Sequence, residues 1–353
     1  MSFTFPTSPS VDDTIELNGK TFKWTANGTW DRVAATTSSS GGSSGGSSSG
    51  STSSSRTHYQ PDFYTMEISN WVDNVSDTTL FGENISAAKK LRFADNGNKM
   101  LVTSVNTDSV YLMDMSTPYD PSTMTYDGAN TVNIVAQETV PYNSKISPDG
   151  LNLYVGGSGG DDINQYLLSI PFDLTTATFV ANKTIKGTGI HAESSFNNFD
   201  MSDDGTKVFI GGTSKDTISS LTLSTPWDIT TMISDNGVWQ GMDGYSGTTG
   251  LSVAPDGMSF WSQSAGDSSF RYAQQWIMDS AWDINSAKPA GVWMMLPYYY
   301  RDSVNSPGAT TTGITDTTAD NQVFNATLWH PTEKKMWFYH GGYNNYFTEV
   351  TWS

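Results

Sequence analysis

The sequence lacks cysteine, a basic face and long apolar runs, and each absence excludes a class of protein. Without cysteine there are no disulfide bonds and no thiolate metal sites. Only 18 lysine and arginine residues stand against 36 aspartate and glutamate residues, a formal net charge of −18. This balance argues against nucleic acid or anionic lipid as a partner. The chain has no apolar run long enough for membrane insertion, and residues 1–6 lack the pattern of a signal peptide, so we expect synthesis in a cytoplasm without ordinary secretion.

Motifs that would specify catalysis or a metal are also missing. The four histidines show no His-Glu-x-x-His spacing. There is no Gly-x-Ser-x-Gly elbow and no glycine-rich phosphate loop before a helix. Aspartates in glycine turns offer oxygen ligands, but they lack the alternating spacing and final glutamate of an EF-hand. We therefore predict that the protein is not an enzyme and holds neither a metal nor a cofactor.

What the sequence does contain is a repeat of about 53 residues, written four times. Each copy has a tight turn that ends in glycine and, downstream, an aromatic residue followed by aspartate. The glycine and the aspartate are 23 residues apart in three copies and 26 in the fourth, so one supersecondary unit is repeated in tandem. The turn glycines are Gly97, Gly150, Gly205 and Gly257, and the second motifs are Tyr119-Asp120, Phe172-Asp173, Trp227-Asp228 and Trp282-Asp283.

This period, with short strands between turn signals, predicts an all-β fold, a β-propeller of four-stranded blades. In the third copy the predicted strands are residues 198–201, 207–211, 219–223 and 232–239. A degenerate fifth turn at residues 330–333 gives five blades, or six if residues 284–322 form another. The last unit ends without an outer strand. Residues 65–71 are similar to the third-strand segment 220–227, so the segment 59–81 is expected to supply the missing strands and close the ring.

The two repeated motifs have a structural interpretation. Asp-Gly suits a tight turn between the first two strands of a blade, because aspartate bonds the local backbone and glycine accepts a positive φ. The aromatic residue is expected to pack between neighbouring blades, and the aspartate after it to cap the following turn. Both motifs are thus predicted to serve the scaffold.

Two segments precede the propeller, which we place at residues 57–353. Residues 1–35 form a small β module in which Asn-Gly separates alternating strands, a hairpin signal. Residues 36–56 are a flexible linker, since positions 36–55 contain only Ser, Gly and Thr. The module is too small to be stable alone. It is expected to dock on a partner or on copies of itself through Phe22, Trp24 and Trp30.

The longest departure from the repeat lies between the fourth and fifth turns. It holds an aromatic segment followed by a Gly/Thr/Asp-rich loop, and loops on a rigid scaffold commonly carry function. Aromatic residues with a polar group suit sugar or protein surfaces. The candidate binding residues are Trp293, Tyr298, Tyr299, Tyr300 and Arg301, although the same segment also suits a buried outer strand.

The N-terminal module resembles a short module of structural proteins from marine tailed bacteriophages. The residues that carry this resemblance are 5–14, the run Leu17-Asn18-Gly19-Lys20-Thr21-Phe22-Lys23-Trp24, and Gly28-Thr29-Trp30. In those proteins a Ser/Gly-rich tether joins the module to a distal domain. The propeller is similar to phage and bacterial propellers with Ser-Pro-Asp-Gly and Ser-Thr-Pro-Trp-Asp motifs. These occur here at residues 147–150 and 224–228.

The resemblance implies a virion protein, a tail fibre, a tail spike or another appendage. Residues 1–35 would contact other virion proteins and could form a homo-oligomer, while the propeller would recognise a host-surface glycan or outer-membrane protein. Two alternatives stay open at this point. The propeller could carry a polysaccharide lyase or glycosidase, which would need two converging carboxylates, or the chain could be a structural spacer of the virion.

Overall fold

The computed structural model describes residues 88–126, 128–185, 196–212, 217–240, 248–264, 271–296, 323–341 and 346–352, and before them residues 10, 12, 14–17, 20–24, 30–32 and 67–72. The three predicted strands of the N-terminal module are present as one antiparallel sheet: β1 (Thr14–Leu17), β2 (Lys20–Trp24) and β3 (Trp30–Arg32). The predicted linker, residues 36–56, lies outside the described residues. The next strand is β4 (Glu67–Val72).

The rest of the chain is a five-bladed β-propeller. Blade 1 contains β5 (Ala88–Ala94), β6 (Lys99–Ser104), β7 (Ser109–Met115) and a divided outer strand, β8 (Met124–Thr125) and β9 (Thr131–Asn133). Blade 2 contains β10 (Pro141–Ile146), β11 (Asn152–Gly157), β12 (Asp162–Leu168) and β13 (Ala177–Thr184). Blade 3 contains β14 (Phe196–Met201), β15 (Lys207–Gly212), β16 (Thr217–Leu223) and β17 (Met232–Gln240). Blade 4 contains β18 (Thr248–Val253), β19 (Ser259–Ser264), β20 (Arg271–Ile277) and β21 (Lys288–Leu296). Blade 5 contains β22 (Val323–Trp329), β23 (Lys335–Gly341), β24 (Tyr346–Thr351) and β4.

Strands within a blade are antiparallel and in blades 1 to 4 follow chain order, with both β8 and β9 paired to β7, and the strand that precedes the turn of each blade is innermost. Neighbouring inner strands contact one another around the whole ring, including β22 of blade 5 with β5 of blade 1. Short 3-10 turns follow the third strand of blades 1 to 4, at Pro121–Thr123, Leu174–Thr176, Ile229–Thr231 and Ile284–Ser286. No helix among the described residues is long and apolar enough to cross a membrane.

Blade 5 confirms the predicted closure of the ring by an N-terminal segment. Strand β4 pairs antiparallel with β24, with Glu67 opposite Thr351 and Val72 opposite Phe347. Although its sequence is similar to a third strand, β4 occupies the outer position, because the first three strands of this blade come from the C-terminal end of the chain. The six-blade alternative is not realised, since β21 is the outer strand of blade 4 and the next described strand, β22, begins blade 5.

The glycine turns connect the first and second strands, as predicted. In blade 3 the Gly205 N–H donates to the Ser202 carbonyl oxygen at 2.9 Å, and the Asp204 carboxylate accepts from the Thr206 N–H at 2.9 Å. Gly205 has φ +71°, which glycine adopts without the penalty that a side chain would bring. In blade 5, His330 replaces the serine, and its Nδ1 accepts from the Glu333 N–H at 2.9 Å. The degenerate fifth motif therefore still builds a turn.

The aromatic-Asp motif also has its predicted role. The Asp228 carboxylate accepts from the Thr230 N–H at 3.0 Å and so caps the 3-10 turn. The Trp227 N–H donates to the Gly205 carbonyl oxygen at 3.0 Å, which places the indole against that glycine. On its other side the ring stacks on Tyr154 of blade 2, with centroids 6.0 Å apart. Each such ring therefore lies between its own turn and the preceding blade, and the hydrophobic clusters likewise lie between neighbouring blades.

Gly205→Ala is expected to destabilise the propeller by roughly 2–5 kcal/mol. A left-handed backbone costs a non-glycine residue about 1–2 kcal/mol, and overpacking adds about 1–3 kcal/mol. The added Cβ would lie 2.4 Å from the Trp227 ring. Gly128 is a matched control, because its φ is +83° and no atom lies within 4 Å of an added Cβ. Urea denaturation of both variants should separate the two costs, and equal losses of stability would contradict the packing role of Trp227.

Candidate functional site

The central channel is lined by the five inner strands, and each of these strands has a β-bulge at the same point. In blades 1 to 4 the bulged residue precedes the turn glycine by eight positions, and a corresponding bulge occurs in blade 5. Bulges leave a residue unpaired and re-aim side chains, and they are enriched beside functional sites. The five bulged residues are Lys89, Tyr142, Asn197, Thr249 and Asn325.

We call these five residues the bulge ring. Its members in blades 1 to 3, whose side chains the structure describes, contribute an ammonium, a phenol and an amide. Lys89, Tyr142 and Asn197 are each partly exposed. Burial lowers the pKa of Lys89 from its ordinary value, and Lys89 makes no hydrogen bond or ion pair to any described residue. The bulge ring therefore offers hydrogen-bonding groups and one cation that has no counterion among the described residues.

The side chain of Lys90, the residue after Lys89, crosses the channel. Lys90 is 1% exposed, and its Nζ donates to the Leu251 carbonyl oxygen at 2.7 Å and to Ser252 Oγ at 3.1 Å, both in blade 4. The same Ser252 Oγ accepts from the Thr327 N–H of blade 5 at 3.2 Å. Burial, followed by the charge of Arg92, lowers the pKa of Lys90 well below its ordinary value, against the opposing effect of Asp200. Lys90 therefore joins blades 1, 4 and 5.

A second set of contacts across the channel centres on Asp200 of blade 3. Its Oδ2 accepts from Arg92 Nη1 of blade 1 at 2.9 Å and from the Val253 N–H of blade 4 at 2.9 Å. Lys145 Nζ of blade 2 lies 3.5 Å from Asp200 Oδ1 and donates to the Met201 carbonyl oxygen at 2.6 Å. Together with Lys90, these contacts connect all five blades.

The electrostatics of Asp200 follow from these neighbours. Burial alone would raise the pKa of Asp200, but the charges of Arg92, Lys145 and Lys90 and the hydrogen bond from Val253 lower it to about 2. Asp200 is therefore ionised over the ordinary pH range. Its single negative charge faces the charged groups of Arg92 and Lys145, so cations outnumber carboxylates among the described channel residues, in a chain whose net charge is −18.

The two ends of the channel differ. The inner strands begin near the bulge ring, at what we call the bulge end, and finish at the glycine turns, the turn end. Strand β4 begins at the turn end, because Glu67 is paired with Thr351 and Thr351 with Lys335, which directly follows the fifth turn. Strand β4 therefore begins at the end opposite the bulge ring.

The predicted binding residues are only partly within the described structure. Trp293 lies in β21, the outer strand of blade 4, opposite Gln274. This placement agrees with the outer-strand interpretation for that part of the segment. Tyr298, Tyr299, Tyr300 and Arg301 lie outside the described residues. The described residues on either side of them, Leu296 and Val323, are at the bulge end of blades 4 and 5.

The predicted docking residues lie on the strands of the N-terminal sheet. Phe22 and Trp24 are in β2, and Trp30 is in β3, where it is paired with Trp24 in the register.

The sequence analysis missed the channel residues, although a signal was available. Arg92, Lys145, Asp200 and Ser252 each precede the turn glycine of their copy by five positions. An alignment of the repeats would have placed all four at one level of the channel. Three of them are charged, although only 15% of the chain is charged. Charged side chains are rare on a buried inner strand, so their presence there is a signal of function or of paired charges.

The described residues hold no metal-binding cluster, and the five inner strands hold one carboxylate. No cluster of three or more His, Asp or Glu residues there is placed to hold a metal ion. Asp200 is the single carboxylate of the five inner strands. Its Oδ2 already accepts hydrogen bonds from Arg92 and from the Val253 N–H. The inner strands thus lack the pair of carboxylates that glycoside hydrolysis requires.

Comparison with known proteins gives matches in structure alone. No family model and no curated protein sequence matches the chain. Kuenenia stuttgartiensis hydrazine synthase matches with 13% identity and a TM-score of 0.42, over 73% of this chain and 56% of that chain. A putative 6-phosphogluconolactonase from Bacteroides fragilis matches with 10% identity and a TM-score of 0.40, over 80% of this chain and 69% of that one. The β-propeller domain of Myceliophteria thermophila Cps50 (Swd1) matches with 11% identity and a TM-score of 0.41, over 75% and 82%. This chain thus spans little more than half of the hydrazine synthase chain, and likeness at this level carries no argument about activity.

Proposed function

We propose that this protein is an appendage of a tailed-bacteriophage virion and that its propeller binds a receptor on the host surface at the bulge end. The receptor is a glycan or an outer-membrane protein. In this proposal residues 1–35 dock on other virion proteins, and the linker, residues 36–56, lets the propeller reach the cell. The mature protein is located in the virion after synthesis in the host cytoplasm.

The observation that supports the proposal is that β4 begins at the end of the propeller opposite the candidate site. Strand β4, which follows the linker in sequence, begins at the turn end at Glu67. The bulge ring lies at the other end, and so do the strand ends that flank the predicted binding segment, Leu296 and Val323. In this proposal a propeller held at the start of β4 presents the bulge end outward. The repeated motifs at the turn end form turns and pack the blades together. The strand ends that flank the long non-repeating segment lie instead at the bulge end.

The expected result is selective adsorption of the isolated protein to host cells. Fluorescently labelled full-length chain should bind cells of the phage's host and not cells of an unrelated bacterium. Tyr299→Ala with Tyr300→Ala should lower this binding by about tenfold or more, because a buried interface aromatic contributes roughly 2 kcal/mol. Equal binding to both bacteria would contradict receptor recognition, and no binding to either would favour a structural spacer.

Docking is tested separately on the particle. Trp24→Ser with Trp30→Ser should remove the protein from purified virions, as measured by peptide mass spectrometry, and leave adsorption of the isolated chain unchanged. Normal incorporation of this double variant would contradict docking through the N-terminal module.

A further inference from the structure

We propose that the bulge end of the channel binds the anionic group of an acidic saccharide, with Lys89 as its main ligand. The anionic group is a carboxylate, as in a uronic acid, or a phosphate ester. This inference rests on the proposed function only in taking the saccharide to be part of the host receptor. Binding of the anion itself is a property of the purified protein and can be measured without cells.

The first argument is the imbalance of charge in the channel. Lys89 has no described partner, and Lys90 is held by a carbonyl and a hydroxyl rather than by a carboxylate. Asp200 is already shared by Arg92 and Lys145. A buried or partly buried cation without a counterion is costly. Because an anion at Lys89 would remove that cost, it would bind more strongly there than at an exposed lysine.

The second argument is that the positive charge is accessible from one end. Toward the turn end the cations are Arg92 and Lys145, both paired with Asp200, and Lys145 is also paired with Asp203 at 3.2 Å. At the bulge end Lys89 is partly exposed and unpaired among the described residues. Lys90 crosses the channel between the two. An anion is therefore drawn to the bulge end, and the acidic exterior makes this end the contrasting positive region of the molecule.

The third argument concerns the rest of the bulge ring. Tyr142 and Asn197 are partly exposed beside the channel, in the blades that follow Lys89 around the ring. A phenol can pack against a sugar ring and donate to a hydroxyl, and an amide can donate to one hydroxyl and accept from another. A saccharide fits this combination better than a bare inorganic anion does, because Tyr142 and Asn197 supply neutral hydrogen-bonding groups in the same ring as the cation.

The test is calorimetric titration of the full-length protein with three probes. These are trigalacturonate, which carries carboxylates, glucose 6-phosphate, which carries a phosphate, and neutral maltotriose. We expect at least one acidic probe to bind about tenfold or more tightly than maltotriose, as a charge-assisted hydrogen bond allows, and to bind more weakly as NaCl is added. The preferred acidic probe identifies the source of the anion. Equal affinity for acidic and neutral probes, or binding of none, would overturn the proposal.

Variants of Lys89 locate the site. Lys89→Met should lower the affinity for the acidic probe by about tenfold or more, and Lys89→Arg should retain it. Lys288→Met is the matched control, because Lys288 is an exposed lysine paired with Asp279 on the outside of blade 4, and it should bind as the unaltered protein does. The acidic probe should raise the melting temperature of the unaltered protein and not that of Lys89→Met. Unchanged affinity in Lys89→Met would overturn the assignment.

The outcome is distinguishable from failure of the proposed function. Anion binding with no adsorption to host cells would retain this site and reject host recognition. Adsorption to host cells without anion binding would reject this site and leave a neutral glycan or a protein as the receptor.

Discussion

Asp200→Asn is expected to destabilise the propeller by about 3–5 kcal/mol, the range found when one member of a buried ion pair is removed. The substitution keeps the size of the side chain but leaves Arg92 and Lys145 without the carboxylate that both of them face, Arg92 at 2.9 Å and Lys145 at 3.5 Å. Since Arg92, Lys145 and Val253 lie in three different blades, the loss should lower the cooperativity of the whole ring. Urea denaturation followed by tryptophan fluorescence measures both effects.

Asp203→Asn is the control for this prediction. Asp203 also pairs with Lys145, at 3.2 Å, but its side chain is 58% exposed. Exposed pairs contribute about 0–1 kcal/mol, so this variant should remain close to the unaltered protein. Equal effects of the two substitutions would show that the Asp200 cluster does not hold the blades together.

The same cluster predicts a loss of stability in acid. The pKa of Asp200 is lowered to about 2 in the folded protein, against about 3.9 for an unfolded aspartate. A lowered folded pKa contributes stability that is complete above the unfolded value and is lost as the pH falls toward the folded value. The unaltered protein should therefore lose this contribution between about pH 4 and pH 2, and Asp200→Asn should lack that part of the pH dependence.

Removal of β4 is the second change with a large expected effect. A chain that begins at residue 57 keeps β4, and a chain that begins at residue 85 loses it. In the shorter chain β24 becomes an edge strand, and Phe347 and Val350, both buried, lose the strand opposite them. Exposing two such side chains costs roughly 3–6 kcal/mol, and for a domain of this size that corresponds to a fall in melting temperature of about 6–24 °C.

Calorimetry and gel filtration of the two chains test this expectation. The chain from residue 57 should melt at nearly the temperature of the full-length protein, because it keeps all five blades complete. The chain from residue 85 should melt lower and should self-associate, since an unpaired edge strand is a template for pairing with another chain. The same melting temperature for both would mean that β4 does not close the ring.

The fold could be predicted from the sequence because its signals are local and repeated. Gly205 marks a tight turn and Trp227 an aromatic side chain, at a spacing that recurs in the repeats. Their contact within one blade follows from that spacing. Closure by β4 was also predictable, since a blade without an outer strand requires one from elsewhere in the chain. Counting turns favoured five blades and left six open if residues 284–322 formed another.

The channel could not be derived in the same way. Arg92 and Asp200 are 108 residues apart in the sequence and meet only because the ring brings blades 1 and 3 to one axis. The bulge at Lys89 depends on how β5 is paired with β6, and no local motif marks it. The placement of Trp293 on an outer strand was an open alternative, because an aromatic run suits a buried strand and a binding segment equally.

The way in which the ring is closed also constrains how the protein can be made. Val72 emerges from the ribosome long before its partner Phe347, because the two paired residues lie far apart in the sequence. At about 5–20 residues per second, roughly 15–60 s of translation separate the two. During that interval the first four blades can fold in order while β4 stays an unpaired nascent strand, held near the growing blades by the segment that joins it to β5. The last blade can form around β4 only after β22, β23 and β24 have emerged, so completion of the ring follows the folding of the first four blades, and a product truncated before β24 lacks a closed ring.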